Sequence, residues 1–135
     1  MPFDLSFSHS FTYDAGLPGI EVTVALQLNE VFTSFPAKID TGASNCIFKR
    51  AHGETLGLEI ESGNEIVIST ATGHFSAFGH FVTMLVGNFD FDVMVYFAKD
   101  YSFNRNVLGR NGFLNQVQMG LIDYDGKLFL SRYNS

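Results

Sequence analysis

The chain has 135 residues and a formal net charge of −6, and 46% of its residues are hydrophobic, including fifteen Phe. This length suits one domain with a substantial core, and the apolar content argues against disorder and favours a strand-rich fold. The negative charge argues against nucleic acid as the main partner, and a single cysteine, Cys46, excludes an intrachain disulfide.

The N-terminal segment lacks the features of a secretory signal. Met1-Pro2-Phe3-Asp4 shows no basic region followed by a long apolar run, and no later stretch is apolar over the length of a membrane span. We therefore expect a cytoplasmic protein that does not contact a membrane, unless a signal precedes this sequence.

Alternating apolar residues, a pattern typical of strands, dominate the N-terminal part of the chain. An N-terminal arm, residues 1–19, contains the alternating residues of an opening strand over 3–13. Two further strands are predicted over 20–28 and 31–39, with a turn at Asn29-Glu30 between them.

Asp40 follows the second of these strands directly. The sequence Asp40-Thr41-Gly42-Ala43-Ser44 predicts a tight turn, in which Gly42 allows backbone conformations that other residues avoid. Free N–H groups in such a turn can hold the Asp40 carboxylate ionised, and the Thr41 hydroxyl can bind another chain. Taken alone, an Asp in a turn commonly only accepts backbone hydrogen bonds.

The rest of the chain predicts one helical turn, Arg50–Leu56, and then strands separated by glycine-containing turns. The predicted strands cover 65–69, 75–86, 89–97, 117–122 and 127–130, with hairpin tips at Thr72-Gly73 and Asp125-Gly126. Asp90 and Asp92 alternate with apolar residues in the strand 89–97, so we expect that strand to have one solvated face.

Two motifs resemble those of a known enzyme family. Asp40-Thr41-Gly42 resembles the active-site motif of aspartic proteases, and a single copy in so short a chain is similar to the retropepsin type. Asn106-Val107-Leu108-Gly109-Arg110-Asn111, followed by Phe113-Leu114, resembles the two-hydrophobics-then-Gly motif that the family carries before a short C-terminal helix. The order and separation of the two motifs also agree.

Two weaker similarities lie between these motifs. Residues 69–73, leading into Gly79, resemble the flap hairpin of the family, and Ala51 with Leu56-Gly57-Leu58 resembles the segment after the catalytic turn. The resemblance covers roughly Ile20 to Leu130. It implies an all-β, retropepsin-like fold: a small, closed, barrel-like domain over residues 1–135 with one short C-terminal helix, assembled as a symmetric homodimer.

The resemblance also implies an aspartic endopeptidase with Asp40 as its catalytic residue. This chemistry needs two carboxyls that share one proton, and no second Asp of this chain has a comparable context, so the partner is expected to be Asp40 of a second copy. The substrate is expected to be an extended, apolar-rich peptide, with no cofactor.

Each motif residue then has an expected role. The turn residues that support Asp40 are Thr41, Gly42, Ala43 and Ser44; the flap and substrate-binding residues are Ile68, Ala71, Thr72, Gly73, Phe75 and Val107; the structural motif is Leu108, Gly109 and Arg110. Either Leu128–Leu130 or the arm residues 3–7 are expected to form an interface sheet between the subunits.

The chain departs from the retroviral pattern in three places. Ser44 stands where viral members usually carry an acidic residue that pairs with the Arg at the position of Arg110, so Arg110 needs another partner or faces solvent. Gly112 stands where an apolar residue is common, which weakens the expected helix by about 1 kcal/mol relative to Ala. The arm, residues 1–19, is longer than the minimal pattern.

Other candidate chemistries have weaker support. His74 and His80 share a hairpin, but no Cys or Glu cluster stands at ligand spacing, so we expect no metal. Cys46 with His52 could form a thiol nucleophile, yet the apolar neighbours of Cys46 predict a buried, inert thiol. The segment Asp14-Ala15-Gly16 is interpreted as an ordinary loop.

Two other functions remain open at this stage. One is a catalytically silent dimerisation or peptide-binding module that keeps the retropepsin fold. The other is a small-ligand β-barrel in which the Asp40 turn is coincidental. A protease requires two Asp40 carboxyls that face each other, whereas neither alternative does.

Overall fold

The structure, a computed structural model, describes residues 2–134. Met1, the first residue of the predicted arm, and Ser135, the last residue of the predicted domain, lie outside the described residues. The architecture is all-β, with one short α-helix, α1, Arg50–Thr55. The strands are β1 His9–Thr12, β2 Glu21–Leu28, β3 Val31–Ile39, β4 Ile47–Phe48, β5 Asn64–Thr70, β6 Gly73–Val86, β7 Phe89–Ala98, β8 Val107–Leu108, β9 Val117–Ile122 and β10 Lys127–Arg132. Turns of 3₁₀ helix cover Ile60–Ser62, Leu114–Gln116 and Asp123–Asp125.

The larger sheet has seven strands in the order β2-β3-β8-β4-β7-β6-β5. The hairpins β2–β3, β5–β6 and β6–β7 are antiparallel, whereas the short strand β8 runs parallel to β3. β2 additionally pairs with β6, from Val24 opposite Val86 to Gln27 opposite Thr83, which brings the two halves of the sheet together around the core. The expected barrel is therefore a seven-stranded sheet with one added strand pairing.

Phenylalanine fills much of the core. Phe48, Phe97 and Phe113 are fully buried, and Phe35 and Phe48 meet edge to face with ring centroids 5.0 Å apart. Each such side chain contributes about 1.5–3 kcal/mol through its burial. Along β7 the apolar residues are buried while Asp90 and Asp92 are exposed, which confirms the predicted strand with one solvated face.

The second sheet joins both ends of the chain, in the order β1-β10-β9. β10 pairs with β1 on one edge and with β9 on the other, and Leu128 and Leu130 are fully buried. The prediction that Leu128–Leu130 forms an interface strand is therefore wrong, because neither edge of this strand is open to another chain. The arm residues 3–7 do not form a strand in the isolated chain, but they remain available for an interface between subunits.

The opening strand is shorter than its alternating pattern predicts. Only His9–Thr12 pairs with β10. The Ser8 N–H donates instead to the Ser131 hydroxyl at 2.7 Å, so a side chain takes the place of the next ladder bond.

Helical structure is confined to short pieces. The predicted turn at Arg50–Leu56 is confirmed as α1, whereas the expected C-terminal helix is a single 3₁₀ turn, Leu114–Gln116. Gly112 has φ +101°, a left-handed conformation that an α-helix excludes, so the chain leaves the Gly109 motif without starting a regular helix. Between residues 2 and 134 no helix is long and apolar enough to span a membrane.

Candidate active site

Strand β3 ends at the turn that carries Asp40. The Asp40 N–H donates to the Leu108 carbonyl at 2.9 Å, which fixes the backbone at the end of the strand. The Asp40 carbonyl accepts from the Ala43 N–H at 3.2 Å, and Asp40 Oδ1 accepts from the Gly42 N–H at 2.9 Å. A backbone donor thus orients one carboxylate oxygen, as the turn chemistry predicts, and no hydrogen bond within the described residues involves the other.

Gly42 suits this turn for a different reason from the one expected. Its φ lies outside the left-handed region, so the expectation of an unusual backbone conformation is wrong. A Cβ at this position would instead lie 3.2 Å from Asp40 Oδ1, closer than most real Cβ contacts. Glycine here leaves room for the carboxylate to fold back onto the N–H of the turn.

The Val107-Leu108-Gly109 segment, far from Asp40 in the sequence, packs against this turn and supports it. β8 places Lys38 opposite Val107 and Ile39 opposite Leu108. After β8, the Arg110 N–H donates to the Ala43 carbonyl and the Asn111 N–H to the Ser44 carbonyl, both at 2.9 Å. The two motifs singled out in the sequence are thus joined by backbone hydrogen bonds.

Gly109 allows this close approach of the two segments. A Cβ at Gly109 would lie 2.3 Å from the Asn45 carbonyl oxygen and 2.7 Å from that of Ala43. Both neighbours are backbone atoms, which cannot rotate away as a side chain can. Any larger residue at this position must therefore push the Asp40 segment away.

An open cleft of about 540 Å³ lies over the Asp40 turn. It is bounded by the turn, by β5 and the start of β6, and by the loop before β8. Its lining residues are Asp40, Gly42, Ala43, Ser44, Asn45, Ile47, Ile66, Val67, Ile68, Ser69, Thr70, Phe75, Phe103, Arg105 and Val107. Asp40 is the only carboxylate among them.

The cleft brings together many of the residues that the sequence predicts. Ile68, Phe75 and Val107 line it with Asp40, Gly42, Ala43 and Ser44, whereas Thr41 is exposed and does not line it. Leu108 is fully buried behind the cleft.

The sequence reasoning missed Phe103 and Arg105. Both lie in the loop just before the Val107 motif, and that proximity was the available signal.

The predicted flap residues lie at the tip of the β5–β6 hairpin. Ala71, Thr72 and Gly73 are exposed and do not line the cleft in the isolated chain. The Thr70 hydroxyl donates to the Gly73 carbonyl at 3.2 Å and closes the tip. The strands below the tip, rather than the tip itself, therefore form the wall of the cleft.

Arg110 faces solvent. It lines a shallow groove of about 210 Å³ with Ser44, Asn111 and Asn115. Within residues 2–134 no ion pair involves its guanidinium. Arg110 therefore contributes to the site through its backbone N–H.

The structure also places the residues of the other candidate chemistries. Cys46 is fully buried, and desolvation raises the pKa of its thiol to about 11, so a reactive thiolate is disfavoured. His52 stacks on Phe35 with ring centroids 3.9 Å apart, and burial lowers its pKa.

His80 contacts the Ile60 carbonyl at 2.9 Å, and His74 is exposed. The part of the chain that the structure describes contains no group of three or more His, Cys, Asp or Glu arranged for a metal ion.

Asp14 provides an internal comparison for the Asp40 turn. Asp14 Oδ1 accepts from the Gly16 N–H at 2.9 Å, the same bond that joins Asp40 and Gly42. Asp14 lies in an exposed loop and does not line the cleft. The Asp-to-Gly bond alone therefore does not mark an active site; the position of Asp40 in the cleft distinguishes it.

Comparisons with known proteins agree with this architecture. Residues 22–113 match a family model described as aspartyl protease. A retropepsin-like aspartic protease from Rickettsia conorii has a similar structure, with a TM-score of 0.64 and 17% identity over 91% of this chain and 97% of that one. The EIAV protease in complex with the inhibitor HBY-793 gives a TM-score of 0.51 and 22% identity over 67% and 80% of the two chains. No curated protein sequence matches the chain.

Proposed function

Since the chain belongs to the aspartyl protease family and has a retropepsin-like fold, we propose that it is an endopeptidase whose two catalytic carboxyls are Asp40 of two identical subunits. One observation carries the proposal: among the residues that the structure describes, Asp40 is the only carboxylate that lines the cleft. A single carboxyl cannot act as base and acid in the same step, so a second one has to come from another copy. We further propose that residues 1–135 form one protease domain.

The proposed mechanism uses one proton shared by the two Asp40 carboxyls. The ionised carboxyl takes a proton from a water molecule, which attacks the peptide carbonyl, while the protonated carboxyl donates to the carbonyl oxygen. Two carboxyls about 3 Å apart cannot both ionise, so they hold one proton between them. The Gly42 N–H, bound to Oδ1, orients the carboxylate for this role.

The surface around Asp40 suits a symmetric interface. Asp40, Thr41 and Gly42 are exposed in the isolated chain, although Val107 and Leu108 of β8 behind them are buried. In a two-fold dimer the same patch meets itself, so the Thr41 hydroxyl of each subunit would bind the partner's backbone. Phe3 and Leu5, 95% and 67% exposed, are further apolar residues that an interface would cover.

The cleft suits an extended, apolar-rich peptide. Its apolar lining residues include Ile47, Ile66, Ile68, Phe75 and Val107. An extended peptide can bond to strand backbone while its alternate side chains enter pockets. The hairpin tip, residues 71–73, would close over this peptide as a flap when the substrate binds.

A subunit-mixing experiment tests the shared pair of carboxyls. Wild-type protein and an Asp40→Asn variant are mixed at fixed total concentration, allowed to exchange subunits, and assayed with an apolar peptide at acidic pH. If both Asp40 residues are needed, an equal mixture retains about one quarter of the wild-type rate, because only one dimer in four has two wild-type subunits. Sedimentation of the same samples establishes that dimers are present.

Two other results would reject the proposal. An equal mixture that retains half of the activity means that each chain carries a complete site. Wild-type dimers that bind apolar peptides but cleave none of them indicate a catalytically silent binding module.

A further inference from the structure

Arg105 is the second charged residue of the cleft. Of the fifteen residues that line it, only Asp40 and Arg105 carry a charge; the others are apolar or neutral. A peptide in this cleft therefore meets one cation, and the proposed chemistry gives that cation no part. Arg105 is a candidate to recognise a particular side chain of the substrate.

Aromatic contacts hold Arg105 against the wall of the cleft. Its guanidinium lies 5.7 Å from the ring centroid of Phe103, and Phe103 packs against Phe75 of β6 with ring centroids 5.0 Å apart. A cation–π contact favours positions of the guanidinium close to the ring and uses none of its N–H donors.

The loop is also anchored on the other side of Arg105. Asn106 Oδ1 accepts from the Lys49 N–H at 3.0 Å, and the Asn106 carbonyl accepts from the Lys38 N–H at 2.9 Å. The backbone at Arg105 is therefore held by its neighbours on both sides.

The charge of Arg105 is not neutralised by a contact within the chain. No ion pair of the described residues includes its guanidinium. Lys38 and Lys49 line the adjoining groove of about 190 Å³ together with Arg105, and Glu21 is the one carboxylate there. This end of the cleft is therefore locally basic in a chain whose net charge is −6.

We propose that Arg105 is a specificity residue that selects an acidic side chain, Glu or Asp, in the peptide that occupies the cleft. The inference rests on the proposed peptidase function and adds a charged subsite to its apolar cleft. A planar guanidinium offers two parallel N–H donors to a carboxylate. The Phe103 ring beside it would contact the methylene groups of the same side chain.

A glutamate scan tests this proposal. An eight-residue apolar peptide carries one Gln, moved through each position in turn, and a matched series carries Glu at the same positions. The cleavage rate kcat/KM is measured with wild-type protein at about pH 5.5, where Glu is ionised. We expect Glu to be preferred over Gln about fivefold at one position or one symmetric pair of positions, a factor equivalent to about 1 kcal/mol. The preference should weaken in about 0.5 M salt.

Three variants show whether Arg105 is the cause. Arg105→Gln should lower kcat/KM for the Glu peptide until it equals that for the Gln peptide, and Arg105→Glu should favour a Lys peptide instead. Lys127→Gln removes one exposed cation outside the cleft and serves as the control for net charge. It should leave the preference unchanged.

A binding measurement separates this inference from the proposed function. The dissociation constants of the two peptide series are measured at about pH 7 with Asp40→Asn, alone and combined with Arg105→Gln. Binding that prefers Glu through Arg105 without any cleavage by wild-type protein supports the subsite and rejects the peptidase function. Cleavage with no Glu preference supports the peptidase function and rejects the subsite.

Two further results overturn the subsite. One is a Glu preference that survives Arg105→Gln. The other is a loss of dimer by Arg105→Gln, seen in sedimentation, that slows cleavage of Glu and Gln peptides equally, because Arg105 would then belong to the subunit interface.

Discussion

Replacing Asp40 by Asn tests whether activity comes from the carboxyl or from the turn that it builds. The Asn side-chain oxygen can still accept the Gly42 N–H, which lies 2.9 Å from Asp40 Oδ1, and the residue is exposed. We therefore expect the free energy of unfolding to change by no more than about 0.5 kcal/mol.

The expected loss of activity is much larger. General acid–base catalysis contributes about 10²- to 10⁴-fold, and the variant dimer lacks both carboxyls, so kcat should fall by at least about 10³. That factor corresponds to about 4 kcal/mol in the activation barrier. Cleavage of an apolar peptide, followed by chromatography, gives the rate, and thermal unfolding gives the stability.

Asp14→Asn is the matched control for this substitution. It makes the same change of charge at a residue with the same 2.9 Å bond to a glycine N–H, but outside the cleft. It should leave kcat unchanged and shift the unfolding temperature as little as Asp40→Asn does. Retention of more than a tenth of the activity by Asp40→Asn, or an equal loss in the Asp14 variant, would refute the reasoning.

Three other predictions concern pH and packing. The pH–rate profile should be bell-shaped with an acidic optimum, because activity needs one proton on the Asp40 pair; a rate that keeps rising above neutral pH contradicts this. Gly109→Ala should lower the free energy of unfolding in urea by more than about 2 kcal/mol, because its Cβ would lie 2.3 Å from the Asn45 carbonyl oxygen. Burial against Phe35 lowers the folded-state pKa of His52 below 6.5, so the unfolded chain binds the proton more tightly and stability should fall as pH drops through and below 6.5. His52→Phe should flatten that dependence in unfolding curves; an unchanged slope argues against it.

Much of the strand content could be predicted from the sequence, because alternation is a local signal. The two strands before Asp40 and the hairpins β5–β6 and β6–β7 lie close to their predicted ranges. The turn at Asp40 follows from its residue types. The family motifs also brought Asp40 and Val107 together correctly.

The errors concern contacts between distant parts of the chain. Alternation predicts that Leu128–Leu130 is a strand but does not reveal that β1 and β9 occupy both of its edges. Composition likewise permits a positive φ at Gly42, whereas the actual constraint is the approach of a carboxylate oxygen. Arg105 lies close to the Val107 motif in the sequence, but only the structure shows that its loop lines the cleft, where Phe103 packs on Phe75 of β6.

The Asp40 turn is complete only when it is hydrogen-bonded to the Leu108–Asn111 segment, which has a consequence for the chain during its synthesis. The groups that they join, such as the Asp40 N–H and the Leu108 carbonyl, are far apart along the chain. Contacts of such long range require a long loop to close, which costs chain entropy and slows their formation. A nascent chain that ends before Asn111 contains the Asp40 turn but lacks part of the segment that is hydrogen-bonded to it. Under the proposed function, a chain on the ribosome would therefore gain activity only after most of its length has emerged, and a fragment cut between the two segments would carry no intact site.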